Sequence, residues 1–207
     1  MISSRPCKRL EPGLTNVLGR ARLQPCRSAH SRSKGFSPEA RFRIADLGIE
    51  ENLLIGVISD THGLLRPEAI AALRGVDRIL HAGDVGDPGI LDRLRELAPV
   101  TAVRGNVDRG PWAAALPKTE LVEVEAVSIY LLHDLAELDL KPEAAGIGAV
   151  IFGHSHQPKI EKRNGVLYFN PGSAGPRRFR LPISLGRLVI EKRKVKAEHV
   201  DLQAGES

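Results

Sequence analysis

The sequence predicts an α/β protein whose first half builds parallel strands and whose second half is mainly β. Three observations carry this. Apolar runs of strand length alternate with two proline-initiated helical stripes between residues 53 and 103. Seven further strand-like runs follow Pro117. Metal-ligand residue types recur at the carboxyl ends of several runs, at nearly even intervals.

Leu53 to Ser59 is a continuous apolar run, the signature of a strand covered on both faces, and it ends on Asp60. Pro67, which lacks the amide hydrogen that a first helical turn leaves unpaired, opens a helix over Glu68 to Leu73. Arg78 to His81 is a second strand and ends in Gly83-Asp84. Pro88 opens a helix over Gly89 to Ala98, with Ile90, Leu91, Leu94 and Leu97 on one stripe. Val100 to Val103 is a third strand, ending in Gly105-Asn106. A β-α-β-α-β order predicts parallel strands joined by right-handed crossovers, with ligands gathered at the carboxyl edge.

The later runs are Leu121 to Glu125, Val127 to Leu132, Ala149 to Phe152, Ile160 to Lys162, Val166 to Phe169, Ile183 to Ile190 and Val195 to Leu202. Arg163-Asn164-Gly165 is a hairpin signal, and Glu191 to Lys194 is a polar turn.

Charge separates the chain into an extension, residues 1–50, and a domain, residues 51–207. The formal net charge is +5, yet residues 1–50 carry 10 Lys or Arg against 4 Asp or Glu, leaving 20 against 21 in residues 51–207. A near-neutral domain disfavours a nucleic-acid polymer as partner, since a phosphate groove needs several cations. Only eight aromatic residues are present to stack bases. Residues 1–50 are rich in Arg, Ser, Pro and Gly without a periodic apolar face, which predicts a disordered extension. The same composition suits an organellar transit peptide or an anion-binding arm. Both cysteines, Cys7 and Cys26, lie there, so the domain has no disulfide framework and a reducing, cytoplasmic setting is expected. No run reaches the length of a membrane span, which predicts a soluble protein without a membrane partner. A homo-oligomer is compatible with the sequence.

The ligand-type blocks are Asp60-Thr61-His62, Gly83-Asp84, Gly105-Asn106-Val107-Asp108, His133, Gly153-His154-Ser155-His156 and Asn170-Pro171-Gly172. The intervals from His62 to Asp84, to Asn106, to His133 and to His154 are 22, 22, 27 and 21 residues, each about one strand and its connection. Carboxylates, imidazoles and an amide without thiolate suit Mn²⁺, Fe²⁺, Ni²⁺ or Zn²⁺ better than Mg²⁺ or Ca²⁺. Asp60 and His62, two apart in an extended segment, share a face and are expected to hold one ion together. His154 and His156 have the same spacing and are expected to split between two ions. Asp84, on a glycine-flanked turn, is the candidate bridge. Two such ions generate a hydroxide and stabilise in-line displacement at phosphorus.

Taken together, these blocks resemble the calcineurin-like metallophosphoesterase superfamily, and the short domain with Asn170-Pro171-Gly172-Ser173 resembles its small bacterial and archaeal phosphodiesterases. The likeness spans about Leu54 to Leu202. It implies a four-layer α/β/β/α sandwich of two mixed sheets. It implies two divalent ions, Mn²⁺ first among the candidates. Asp60, His62 and His156 would bind one ion, Asn106, His133 and His154 the other, and Asp84 would bridge, so that Asp84, Asn106 and His133 stand at the reacting centre. A small phosphodiester is the implied substrate.

Two departures from the family pattern bear on activity. Many members carry a histidine after Gly-Asn that protonates the leaving group; here it is Val107, as in the small phosphodiesterase branch, and aryl or activated diesters are expected over alkyl monoesters. Asp134 follows His133 where glycine is commoner, and its charge would tighten a metal or repel an anionic substrate. Arg104, Arg177 and Arg178 are candidate phosphate ligands. His81 is expected to be packed or to support a ligand, and Asp108 to orient a ligand or cap a turn. His30 and His199 carry no signal. Two further readings are a non-catalytic scaffold, as for the retromer subunit of this fold, whose metal site is degenerate, and a nuclease of the superfamily. Retention of His62, His133, His154 and His156 weighs against the first, the neutral domain against the second.

Overall fold

The computed structural model describes residues 52–203. The extension expected over residues 1–50 and both cysteines lie outside the described residues. The first half forms β1 (Leu53–Ile58), α1 (Pro67–Ala72), β2 (Arg78–His81), α2 (Pro88–Arg95), β3 (Val100–Ala102) and α3 (Pro111–Ala114). The strands β1, β2 and β3 pair in parallel, with Ile58 opposite His81 and His81 opposite Ala102. This is the arrangement the alternation predicts. The second half forms β4 (Thr119–Val124), β5 (Val127–Leu132), β6 (Ile147–Ile151), β7 (Lys159–Arg163), β8 (Val166–Asn170), β9 (Ser184–Glu191) and β10 (Lys194–Asp201).

Two five-stranded sheets result, ordered β10-β9-β1-β2-β3 and β4-β5-β6-β8-β7. Both are mixed. Antiparallel β9 and β10 close the first, and β5, β6 and β8 run parallel within the second. β1 is central in its sheet, which is why its sequence is apolar throughout. The Asn164-Gly165 turn takes positive φ at both residues, 49° and 85°, as the predicted hairpin requires.

All three α-helices among the described residues start on proline, and the Asp87 carboxylate caps α2 by accepting the Gly89 amide at 2.7 Å. α2 stops at Arg95, short of the expected Ala98, because Pro99 disfavours helical backbone before it. The four-residue α3 is too short for periodicity to reveal.

Ile55, Val57 and Leu80 of the first sheet meet Ile129, Leu131 and Phe169 of the second in a core between the sheets. Ile58 and Ile79 turn the other way and pack on Leu73 and Leu94 of the helical layer. Across the molecule Val150, Phe152 and Tyr168 are covered by Leu135, Leu138 and Leu140. The four layers are therefore present, and among the described residues the outer one over the second sheet contains only a 3₁₀ turn at Leu135–Glu137.

Candidate metal centre

Every ligand-type residue except Asn170 lies beyond a strand end, in loops that backbone bonds tie together. The Asp60 amide donates to the Gly83 carbonyl at 3.0 Å, the His62 amide to the Asp84 carbonyl at 2.9 Å, and the Gly153 amide to the His133 carbonyl at 2.9 Å. Asp60 and His62 do not lie in an extended segment. Their φ values are 55° and 46°, so the expectation of strand-face alternation is corrected: two left-handed residues, not a pleat, turn both side chains inward. Asp84, His154 and His156 share this conformation at 54°, 66° and 58°. Five of the nine non-glycine residues with positive φ among those described are thus ligand types, and strain of about 1–2 kcal/mol each is concentrated at one site.

The side chains form two groups flanking one carboxylate. On one side His156 Nε2 lies 3.3 Å from Asp60 Oδ1 and His62 Nε2 lies 3.9 Å from it, while the two imidazole Nε2 atoms are 3.3 Å apart. On the other, Asn106 Oδ1 is 3.0 Å from His133 Nε2 and 3.2 Å from His154 Nδ1. Asp84 Oδ2 stands between, 3.7 Å from His62 Nε2 and 3.4 Å from His133 Nε2. Asp60, Asp84 and His133 also have donor atoms within 4.8 Å of one another. The structure brings all seven expected ligands together. It does so with no glycine to spare, for a Cβ on Gly105 would strike the Asp84 carboxylate and one on Gly83 would come within 2.7 Å of His133 Nδ1.

The donor set fits a divalent cation on its own chemistry. Asp60 Oδ1 is buried with no hydrogen-bond partner, although the other carboxylate oxygen accepts from Ser59 Oγ at 2.6 Å. An orphaned buried carboxylate oxygen faced by imidazole nitrogens is costly unless a cation meets it. Burial pushes the Asp60 pKa up to about 6 despite the Ser59 bond. Burial also lowers His62, and lowers His156 to about 4, with the Arg178 cation adding to both, which keeps these imidazoles neutral and able to ligate. Burial opposes charge on His133 as well, but its bonds to Asp84 and the Ala82 carbonyl carry its pKa above the ordinary value. Asp84, which burial would raise, is held below the ordinary value by His133 and the Val107 amide.

Supporting contacts settle the residues left open by the sequence. His81 is fully buried, accepting the Gly83 amide at Nδ1 (3.2 Å) with Nε2 3.0 Å from Thr61 Oγ1. The Thr61 hydroxyl donates onward to the Val85 carbonyl, so a single ring proton on Nε2 satisfies the network. Burial lowers its pKa to about 4. Asp108 accepts the Gly86 and Gly105 amides, each at 2.8 Å, tying the Asn106 loop to the Asp84 loop. His133 donates from Nδ1 to the Ala82 carbonyl at 2.7 Å, which aims Nε2 at Asp84 and Asn106. Asn170 donates to the Gly153 carbonyl and Ser155 Oγ, fixing the loop of His154 and His156. Ser59 and Ser173, whose hydroxyl donates to the Asp60 carbonyl, were given no role by the sequence. Their one signal is polar residues beside an apolar run and the Asn-Pro-Gly-Ser block.

Arg178 Nη2 lies 3.5 Å from His62 Nε2, at the edge of the first group. Arg104 lines a cleft of about 330 Å³ that opens beside Asn106, His133 and His154. Arg177 is exposed and is not brought to either group by any described contact. Asp134 caps the 3₁₀ turn through the Ala136 amide, and its Oδ2 is 3.8 Å from His154 Nε2. His199, which carried no signal, contacts the Asn170 carbonyl at 2.8 Å.

A layered pair of mixed sheets with such a loop cluster is an α/β sandwich carrying a candidate metal centre. The chain belongs to the calcineurin-like phosphoesterase superfamily, whose domain model matches residues 53–193. It is 40% identical over 158 residues to a probable metallophosphoesterase of Methanothermobacter thermautotrophicus, covering 70% of this chain and 91% of that one. It is 29% identical over 161 residues to the phosphodiesterase YfcE of Escherichia coli, covering 63% of this chain and 84% of that one. Among solved structures it resembles Vps29 of Entamoeba histolytica complexed with zinc, with a TM-score of 0.58, 25% identity and coverage of 72% and 99%.

Proposed function

We propose that this chain is a phosphodiesterase that hydrolyses small phosphodiesters with two divalent cations, and that residues 51–207 form the catalytic domain after a separate extension. The observation that carries the reading is Asp84 Oδ2, 3.7 Å from His62 Nε2 and 3.4 Å from His133 Nε2. A carboxylate so shared is suited to bridge two cations. Asp60, His62 and His156 would hold one, Asn106, His133 and His154 the other. When bound, the cations supply a nucleophile from water at neutral pH and neutralise charge on the phosphate. Manganese is the first candidate, followed by nickel, zinc and iron, because imidazole, carboxylate and amide donors are mixed and thiolate is absent.

The remaining steps fall to the chain itself. Arg178 and Arg104, on opposite sides of the ligand cluster, are suited to grip phosphate oxygens, with Arg177 in reserve on the same loop as Arg178. The Val107 amide donates to Asp84 Oδ1 at 2.9 Å and steadies the bridge, but its side chain has no proton for a leaving group. Diesters and activated leaving groups are therefore expected to be favoured over alkyl monoesters. Val107→His is expected to raise alkyl monoester hydrolysis roughly 10²-fold relative to aryl diester hydrolysis, at the lower end of what a general acid contributes. A wild type that favours alkyl monoesters would contradict the assignment.

A chromogenic phosphodiester assayed with Mn²⁺, Ni²⁺, Zn²⁺ and Mg²⁺ tests the function. Metal-dependent turnover is expected, and absence of turnover with every metal would leave the scaffold reading, which the likeness to Vps29 favours. Polynucleotide cleavage steeply weakened by salt would instead favour a nuclease. No helix among the described residues is long and apolar enough to cross a membrane. A cytoplasmic location accords with the thiol-free catalytic domain.

A further inference from the structure

The loop after β8 carries Pro176-Arg177-Arg178-Phe179-Arg180-Leu181. Phe179 is 92% exposed, whereas the other exposed large apolar residues, Leu64, Val107, Leu121 and Ile160, reach at most 50%. Its φ is 53°, a left-handed conformation that an aromatic residue adopts at a cost of about 1–2 kcal/mol. No burial offsets that cost. With Gln157, Arg180 and Leu181 it lines an open groove of about 640 Å³.

The groove's lining residues adjoin the metal centre along the chain at two points. Gln157 directly follows His156, and Arg178, next to Phe179, has its Nη2 3.5 Å from His62 Nε2. Arg180 lines the groove beside the ring, and Arg178, one residue before it, reaches the metal centre, so the loop offers two guanidinium groups near one aromatic face. A ligand that satisfies this surface has a phosphate for the arginines and, one residue away, a flat apolar face for the phenyl ring.

We infer that the groove bounded by Gln157, Phe179 and Leu181 is a nucleobase subsite, in which the base stacks on Phe179 while Arg178 meets the phosphate, so that nucleotide-derived phosphodiesters are the substrate class. The inference rests on the phosphodiesterase reading for its substrate and on the loop for its specificity. A base has a π face whatever its identity, so purines and pyrimidines are both accepted.

Phe179→Ala, with Phe179→Trp as the conservative partner, tests the subsite, since an exposed ring leaves folding intact. Stacking is worth about 1–3 kcal/mol per base. The ratio of kcat/KM for 2′,3′-cyclic AMP over glycerophosphocholine should therefore fall roughly 5- to 150-fold in the alanine variant, through KM, and recover with tryptophan. Calorimetric binding of 5′-AMP should weaken by the same factor while inorganic phosphate binding stays constant. If 5′-AMP affinity falls as stated but no diester is cleaved by the wild type, the subsite stands and the phosphodiesterase reading fails. An unchanged ratio with unchanged 5′-AMP affinity overturns the subsite. Loss confined to bis(p-nitrophenyl) phosphate, with the cyclic nucleotide unaffected, also overturns the nucleobase assignment. So does a dimer that dissociates in the alanine variant without any change in the ratio, which would give the groove to a second copy of the chain.

Discussion

On one side of Asp84, Asp60 is fully buried, His156 is 4% exposed and a carboxylate oxygen is left without a hydrogen-bond partner. On the other, His133 is buried as well, but Asn106 is exposed, the His154 side chain is 47% exposed and the donors open into a cleft. The same donor chemistry is thus housed in two dielectric settings. A buried, convergent set has its ordering cost met by the fold and should bind its cation tightly. An exposed set competes with water and should exchange its cation readily, and the side that opens to solvent is where a substrate phosphate can enter.

The most damaging change to both sides at once is Asp84→Asn, which removes the shared charge. Loss of several kcal/mol of charge stabilisation corresponds to roughly 10³-fold or more in kcat. Steady-state kinetics with metal analysis would check it. Next, His156→Ala and His154→Ala should separate the two sides. The first should abolish the tightly held ion, and the second should leave that ion bound while weakening the exchangeable one. Equal effects of the two variants in a calorimetric titration would erase the distinction.

Asp108→Ala acts at one remove, by freeing the Gly86 and Gly105 amides that fix the Asn106 loop. Supporting contacts of this kind are worth roughly 10- to 100-fold in metal affinity, so the exposed site should weaken by that factor. The buried site should hold.

The smallest effect concerns stability. Asp60 has a folded pKa raised to about 6 from 3.8, with burial the main cause. A raised carboxylate favours the fold when protonated and opposes it when ionised, so its cost appears as pH rises from 3.8 through about 6 and is full at pH 7. In metal-free protein Asp60→Asn should therefore increase stability by about 1–3 kcal/mol at pH 7. The gain should vanish below pH 3.8. His81 works in the opposite sense. Its pKa is lowered from 6.5 to about 4 by burial, so the neutral form stabilises the fold above pH 6.5 and that contribution is lost as pH falls towards 4. Urea unfolding of both proteins across this range separates the two. A less stable Asp60→Asn protein at pH 7 would mean that burial of the charge is not what the fold bears.

The candidate ligand residues could be picked out of the sequence because their order survives without any geometry: a carboxylate, imidazole or amide follows five of the apolar runs at strand-plus-connection spacing. The parallel β1-β2-β3 unit was legible for the same reason, from apolar runs alternating with proline-started helices. What stayed hidden depends on backbone conformation and long-range hydrogen bonds. Asp60 and His62 read as a pleated pair, but their left-handed φ values are imposed by the amide bonds to Gly83 and Asp84. Ser173 gains its role only when distant loops meet, across the 113-residue separation from Asp60, and Asn170 only when the end of β8 returns to the Gly153 loop 17 residues before it. α3 is four residues long, and a single turn has no period to detect.

The central claim is that Asp84 joins a buried and an exposed cation site into one phosphodiesterase centre. Titration of Mn²⁺ into metal-free protein, followed by calorimetry and in parallel by hydrolysis of a chromogenic phosphodiester, tests it most directly. The account predicts two equivalents of different affinity, with activity rising as the second, weaker one binds, and neither step in Asp84→Asn. Full activity at one equivalent, or in the Asp84→Asn protein, would contradict it.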